Sequence, residues 1–106
     1  MITINIYYSG KNGNAKKFVE EMIESKIVDE IRKEKGNLRY EYFYTIDDNE
    51  TVLLIDSWEN QEALDIHHHL PLMKKIAELR EKYDLHMKVE KYESIIDSKD
   101  EKYIRK

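Results

Sequence analysis

The chain contains no cysteine. Disulfides and thiolate-bound metals are therefore excluded, and nothing points to an oxidising compartment. One proline and three glycines are too few for a collagen-like or low-complexity segment, so each marks a specific break in an otherwise regular chain. No apolar run approaches the ~20 residues that span a bilayer. Met1 to Tyr8 lacks the basic region and apolar core of a signal peptide. A cytoplasmic protein with no membrane association is the expectation. Charge of neither sign dominates: 18 basic and 22 acidic residues leave a net charge of -4, which gives no basic face for nucleic acid.

What the chain has in quantity is charge, 38% of its 106 residues. That length implies one domain. A chain this short leaves roughly a third or more of its unfolded surface exposed, so its core is modest. Packing against a second copy would relieve the shortage.

Ile2, Ile4 and Ile6 alternate with Thr3, Asn5 and Tyr7, the period of two that marks a strand. After a turn-rich loop, Ser9 to Asn14, apolar residues recur at three- and four-residue spacing: Ala15, Phe18, Val19, Met22, Ile23, Ile27 and Ile31. The spacing predicts one amphipathic helix of about five turns, capped by Asn14 or Asn12. Gly36 stops it, behind Arg32, Lys33 and Lys35 in its last turn. Asn37 to Thr45 alternates again, with Leu38, Tyr40, Tyr42 and Tyr44 sharing one face. The acidic turn Asp47 to Glu50 is a solvated hairpin, because its spacing is wrong for a calcium loop. In the strand Thr51 to Trp58, the run Val52-Leu53-Leu54-Ile55 is apolar on both faces and implies cover on both. A helix capped by Asn60 follows. Pro71 must interrupt it and is a favoured first residue for the next, which runs to Tyr83. Leu85 to Tyr92 reads as a fourth strand. Residues 1–93 form the domain and 94–106 a charged tail.

Strand, helix, strand, strand, helix, strand is the split βαβ order (βαββαβ) of a ferredoxin-like α+β domain. Such a domain lays both helices on one face of a four-stranded antiparallel sheet and leaves the other face bare. Apolar side chains on both faces of the second and third strands argue that the bare face is covered. A second copy, packed sheet to sheet, is the simplest cover.

The block Glu34-Lys35-Gly36-Asn37-Leu38-Arg39-Tyr40-Glu41, followed by Trp58-Glu59, Ala63-Leu64, His67, Pro71 and Met73, resembles the antibiotic biosynthesis monooxygenase domain. The resemblance runs from the first strand to about Tyr92. It implies a dimeric α+β barrel, hence a homodimer. Members of that family include cofactor-free quinol and anthrone oxygenases, haem-degrading enzymes and an isomerase of phosphorylated autoinducer breakdown, so the resemblance narrows fold more than function. Many members carry a second histidine directly after the proline; here that position is Leu72.

Consecutive helical residues point about 100° apart, so His67, His68 and His69 cannot close on one metal. No partner at i, i+4 completes a site, and no metal is expected. His67 lies three residues after Leu64 and should face inward with it. Two readings stand: a base or hydrogen-bond donor in a pocket between helix and sheet, with a reference pKa of about 6.5 that suits proton transfer, or a buried histidine satisfied by a backbone carbonyl. Asn5 is an amide in mid-strand, where asparagine is depleted. It would hold a substrate carbonyl or a dioxygen-derived anion, or else make a polar contact across the dimer; haem-degrading members use an asparagine on this strand. Trp58, Met73, Tyr40 and Leu64 are the candidate pocket lining, and each has an ordinary alternative as core, gap filler or interface.

The resemblance implies a cofactor-independent monooxygenase of a small electron-rich aromatic: a phenol, quinol or anthrone. His67 would take a proton, Asn5 would hold the resulting anion, and Trp58 and Met73 would exclude water. No glycine-rich phosphate loop or cofactor-lysine motif occurs, so no cofactor is expected. The alternatives are an isomerase or haem degrader using the same pocket, or a non-catalytic small-molecule-binding or stress-related dimer.

Overall fold

The computed structural model describes residues 1–95 and 98–106. Ile96 and Asp97, in the charged tail, lie outside the described residues. Four strands make the frame: β1 (Ile2–Ser9), β2 (Asn37–Tyr44), β3 (Thr51–Trp58) and β4 (His86–Glu93). They form one antiparallel sheet in the order β2-β3-β1-β4. The helices α1 (Asn14–Glu24), α2 (Ile27–Arg32), α3 (Gln61–His68) and α4 (Leu72–Lys82) connect the strands, and a short 3₁₀ stretch (Ser98–Tyr103) lies in the tail. This is the ferredoxin-like α+β arrangement.

Register decides which side chains meet. Ile4 lies opposite Asp56, and Asp56 lies opposite Tyr40, so these three share the helix-facing side of the sheet. Ile2, Ile6, Tyr8, Val52, Leu54 and Trp58 are buried on that side with them, against Ala15, Phe18, Val19 and Met22 of α1. Burying each large apolar side chain contributes about 1.5–3 kcal/mol. Asn5, Tyr7, Leu53, Ile55 and Phe43 point the other way, off the face that α1 packs against, and are half-buried. On this open face the Lys88 ammonium stands 5.6 Å from the Tyr7 ring and the Arg39 guanidinium 5.4 Å from Phe43.

The stretch from Ala15 to Arg32 is two helices rather than one. Lys26 takes a left-handed conformation at φ 69°, and the Ser25 hydroxyl bonds back to the Met22 carbonyl. The break re-aims Ile27, Val28 and Ile31 into the core and leaves Ile23 53% exposed. Its physical reason is in the spacing: Ile27 lies five positions after Met22, more than one turn, so an unbroken helix would carry the second set off the buried face. The start of α1 also differs. Gly13 is the N-cap at φ 75°, and its N–H donates to both carboxylate oxygens of Glu50, while the Asn14 amide donates to the Tyr83 carbonyl. On β2 the aromatic stripe belongs to the helix side: Tyr40 is buried, Tyr42 half-buried and Tyr44 exposed.

Candidate functional site

The period-two pattern of β3 places Asp56 and Trp58 side by side on the buried face. The Trp58 indole N–H donates to Asp56 Oδ1 at 2.7 Å. Asp56 is 4% exposed. Burial pushes its carboxyl up to about 7; the Trp58 hydrogen bond pulls down against that, and the charge of Glu34 adds a further push upward. Behind Asp56 the Tyr40 hydroxyl is also held well above the usual tyrosine range, chiefly by burial. Arg80 of α4 donates from Nη2 to the Tyr8 hydroxyl at 3.1 Å.

His67 arrives from α3. Asn60 caps that helix, its Oδ1 accepting from the Ala63 N–H at 2.9 Å, and buried Leu64 fastens it to the core. One turn on from Leu64, the His67 ring stacks on Trp58 with centroids 4.6 Å apart and a 32° tilt. Its Nδ1 lies 2.9 and 3.1 Å from the two carboxylate oxygens of Glu34. The partner of this histidine is thus a carboxylate rather than a backbone carbonyl. His68 and His69 are largely exposed; partial burial of the His68 ring lowers its pKa, with repulsion from His67 second. α3 ends at His68 and α4 begins at Leu72 with Pro71 as its N-cap, so proline does divide the two helices.

Beside this chain of contacts lies a cavity of about 330 Å³, lined by Glu34, Gly36, Glu59, Ala63, Ile66 and Leu70 among others. Gly36 makes it possible for the β2 entry loop to approach α3. It adopts φ +87°, and a Cβ there would stand 2.6 Å from Ala63 Cβ. The Glu59 N–H donates to the Gly36 carbonyl at 2.8 Å and closes the junction.

Of the residues singled out from the sequence, Trp58, His67, Leu64 and Tyr40 come together on the helix side of the sheet. Met73 is half-buried and packs against the same core. Asn5 is not with them: it lies on the open face, its Oδ1 buried and without a hydrogen-bond partner among the described residues. None of these six lines the 330 Å³ cavity. The residue that does, and that reaches the others, is Glu34. Neither Glu34 nor Asp56 is among the residues that the sequence marks as functional. Asp56 had a signal, a carboxylate on the inward register of an otherwise apolar strand. Glu34 has only its place at the head of the Glu34-to-Glu41 block. Among the described residues, no group of three or more His, Asp or Glu side chains is placed to hold a metal ion, and no helix is long and apolar enough to cross a membrane.

The family model for antibiotic biosynthesis monooxygenases matches residues 1–79. The chain belongs to this family. Solved structures agree on the fold. A candidate antibiotic biosynthesis monooxygenase of Deinococcus radiodurans is 19% identical, with 92% of this chain and 95% of that one covered at a TM-score of 0.80. SnoaB, a cofactor-independent oxygenase from Streptomyces nogalater, is 10% identical, with 92% and 95% covered at a TM-score of 0.75. A conserved protein from Methanosarcina mazei is 22% identical, with 86% and 89% covered at a TM-score of 0.73. No curated protein matches the sequence.

Proposed function

We propose that the protein is a cofactor-independent monooxygenase of a small electron-rich aromatic, of the phenol, quinol or anthrone type. The observation that carries the reading is the contact chain Glu34–His67–Trp58–Asp56 running from a cavity wall into the core. The cavity, about 330 Å³, falls in the range of small-ligand sites, and its wall of Ala63, Ile66 and Leu70 suits a flat ring. Family membership supports the reaction class, and SnoaB supports independence from a cofactor by analogy of fold.

In this reaction the substrate supplies every electron. Loss of a proton to the Glu34–His67 pair leaves an electron-rich anion, which passes one electron to dioxygen. The two radicals combine to a peroxide, and loss of water leaves a carbonyl. For an anthrone, a methylene and one O₂ become a ketone and one water, so the atoms balance without a further reductant. The protein contributes the base, the orientation of the ring and exclusion of water.

The proposal extends to a homodimer. Leu53, Ile55, Tyr7 and Phe43 form a partly apolar face that this chain's own helices leave open, and a second copy would cover it. Asn5, with its unpartnered oxygen, then sits at that interface rather than in the cavity.

A non-catalytic, small-molecule-binding dimer is the second reading. Leu72 replaces the family's second histidine, and His67 is only 3% exposed. Dioxygen uptake by the purified protein, with anthrones, quinols and phenols offered in turn, separates the two. Uptake no faster than spontaneous oxidation of the same compounds, alongside saturable binding, selects the second.

A further inference from the structure

We propose that Glu34 is the group that meets the substrate, accepting the hydroxyl proton of an uncharged hydroxyarene, an anthrone reacting as its hydroxyl tautomer, and that His67 is a positioning residue behind it. The proton step rests on the oxygenase reading; the contact itself does not.

Geometry separates the two residues. The side chain of Glu34 is 14% exposed and lines the cavity, whereas that of His67 is 3% exposed and does not. A carboxylate only accepts, so with Glu34 ionised the His67 Nδ1 carries the proton and donates across 2.9 and 3.1 Å. An ionised carboxylate offers about four lone-pair sites, and this donor occupies one edge of it. The rest remain for a ligand in the cavity. His67 cannot swing to the ligand itself, because its ring face rests on Trp58 at 4.6 Å and Leu64 anchors its helix. It fixes the carboxylate instead, as the histidine-bound acid of a dyad is fixed, and thereby pre-orients the acceptor.

The step balances. The substrate O–H bond breaks, its electron pair stays on oxygen as an aryloxide, and the proton forms an O–H bond on Glu34. No electron leaves the pair, so no oxidant enters until dioxygen does. The cavity also sets the charge of the ligand. Among the described residues, Glu34, Glu59 and Glu62 line it against the single cation Lys35. A ring that carries its own carboxylate is repelled by that mouth, while an uncharged ring is not.

The test is equilibrium binding without oxygen, read by ligand fluorescence. The probes are 2-naphthol, its methyl ether and 6-hydroxy-2-naphthoate. The native protein should bind 2-naphthol about tenfold more tightly than the ether, the size of a lost hydrogen bond to a charged group, and more tightly than the naphthoate. Glu34→Gln, close to isosteric, should remove most of the preference over the ether. Glu34→Asp, which withdraws the carboxylate, should reduce it too. His67→Ala should weaken all three probes and keep part of the preference, with folding followed by circular dichroism in each variant. Loss of the preference in His67→Ala together with its survival in both Glu34 variants would make His67 the contact and overturn the assignment. Native protein that binds neither naphthol nor ether, or binds them equally, overturns it as well. Preference without any dioxygen uptake would sink the oxygenase reading and leave the contact standing.

Discussion

Asp56→Asn isolates the most perturbed carboxyl among the described residues of the core. Asp56 titrates at about 7 in the folded chain against an ordinary 3.8. The folded protein therefore holds a proton that the unfolded chain has already released, and stability falls as pH rises through that interval. Over about three pH units at about 1.4 kcal/mol each, the loss approaches about 4 kcal/mol as an upper bound. It is absent below the unfolded value and complete above about 7. Asparagine keeps an oxygen for the Trp58 indole N–H and has no charge to bury. The variant should thus match the native protein within about 1 kcal/mol near pH 4 and exceed it by roughly 2–4 kcal/mol near pH 8. Urea unfolding at both pH values, followed through the fluorescence of the single tryptophan, measures the difference directly. A difference between the two proteins that is the same at both pH values would refute the reasoning. It would mean that Asp56 is ionised throughout or that its burial is relieved by water.

Two further outcomes follow from the fold. Gly36→Ala forces a side chain into a left-handed conformation and against Ala63 Cβ; urea unfolding should show a loss of about 2 kcal/mol or more, and an unchanged midpoint would contradict the packing. Light scattering at micromolar concentration should give twice the chain mass for the native protein and a single chain for Leu53→Asp on the open face, whereas a native monomer would remove the proposed homodimer.

Much of the scaffold is legible in the sequence because it obeys simple periods. The alternation of β1 and β2, the apolar run of β3 and the positions of Asn60 and Pro71 give strands, cap and helix break that recur in the structure. The division between α1 and α2 is harder to read, since Ile23 matches the helical spacing yet is exposed. Tertiary packing of Ile27 and Val28 decides that break, not propensity. At the site, inward-facing His67 follows from Leu64 by angle alone. Its partner does not: Glu34 is 33 residues away in sequence, and nothing local pairs them. Asn5 shows the opposite difficulty. Its strand position is plain, but whether its face meets a cavity, a second copy or solvent depends on layers that a period of two cannot specify.

The most direct measurement is dioxygen consumption with an anthrone as substrate, comparing native protein, Glu34→Gln and protein-free buffer. The native protein should take up one dioxygen for each ketone formed, and Glu34→Gln should be slower by about 100-fold or more, the usual cost of losing a general base. Uptake by the native protein that does not exceed the buffer, across anthrones, quinols and phenols alike, would contradict the assignment of an oxygenase.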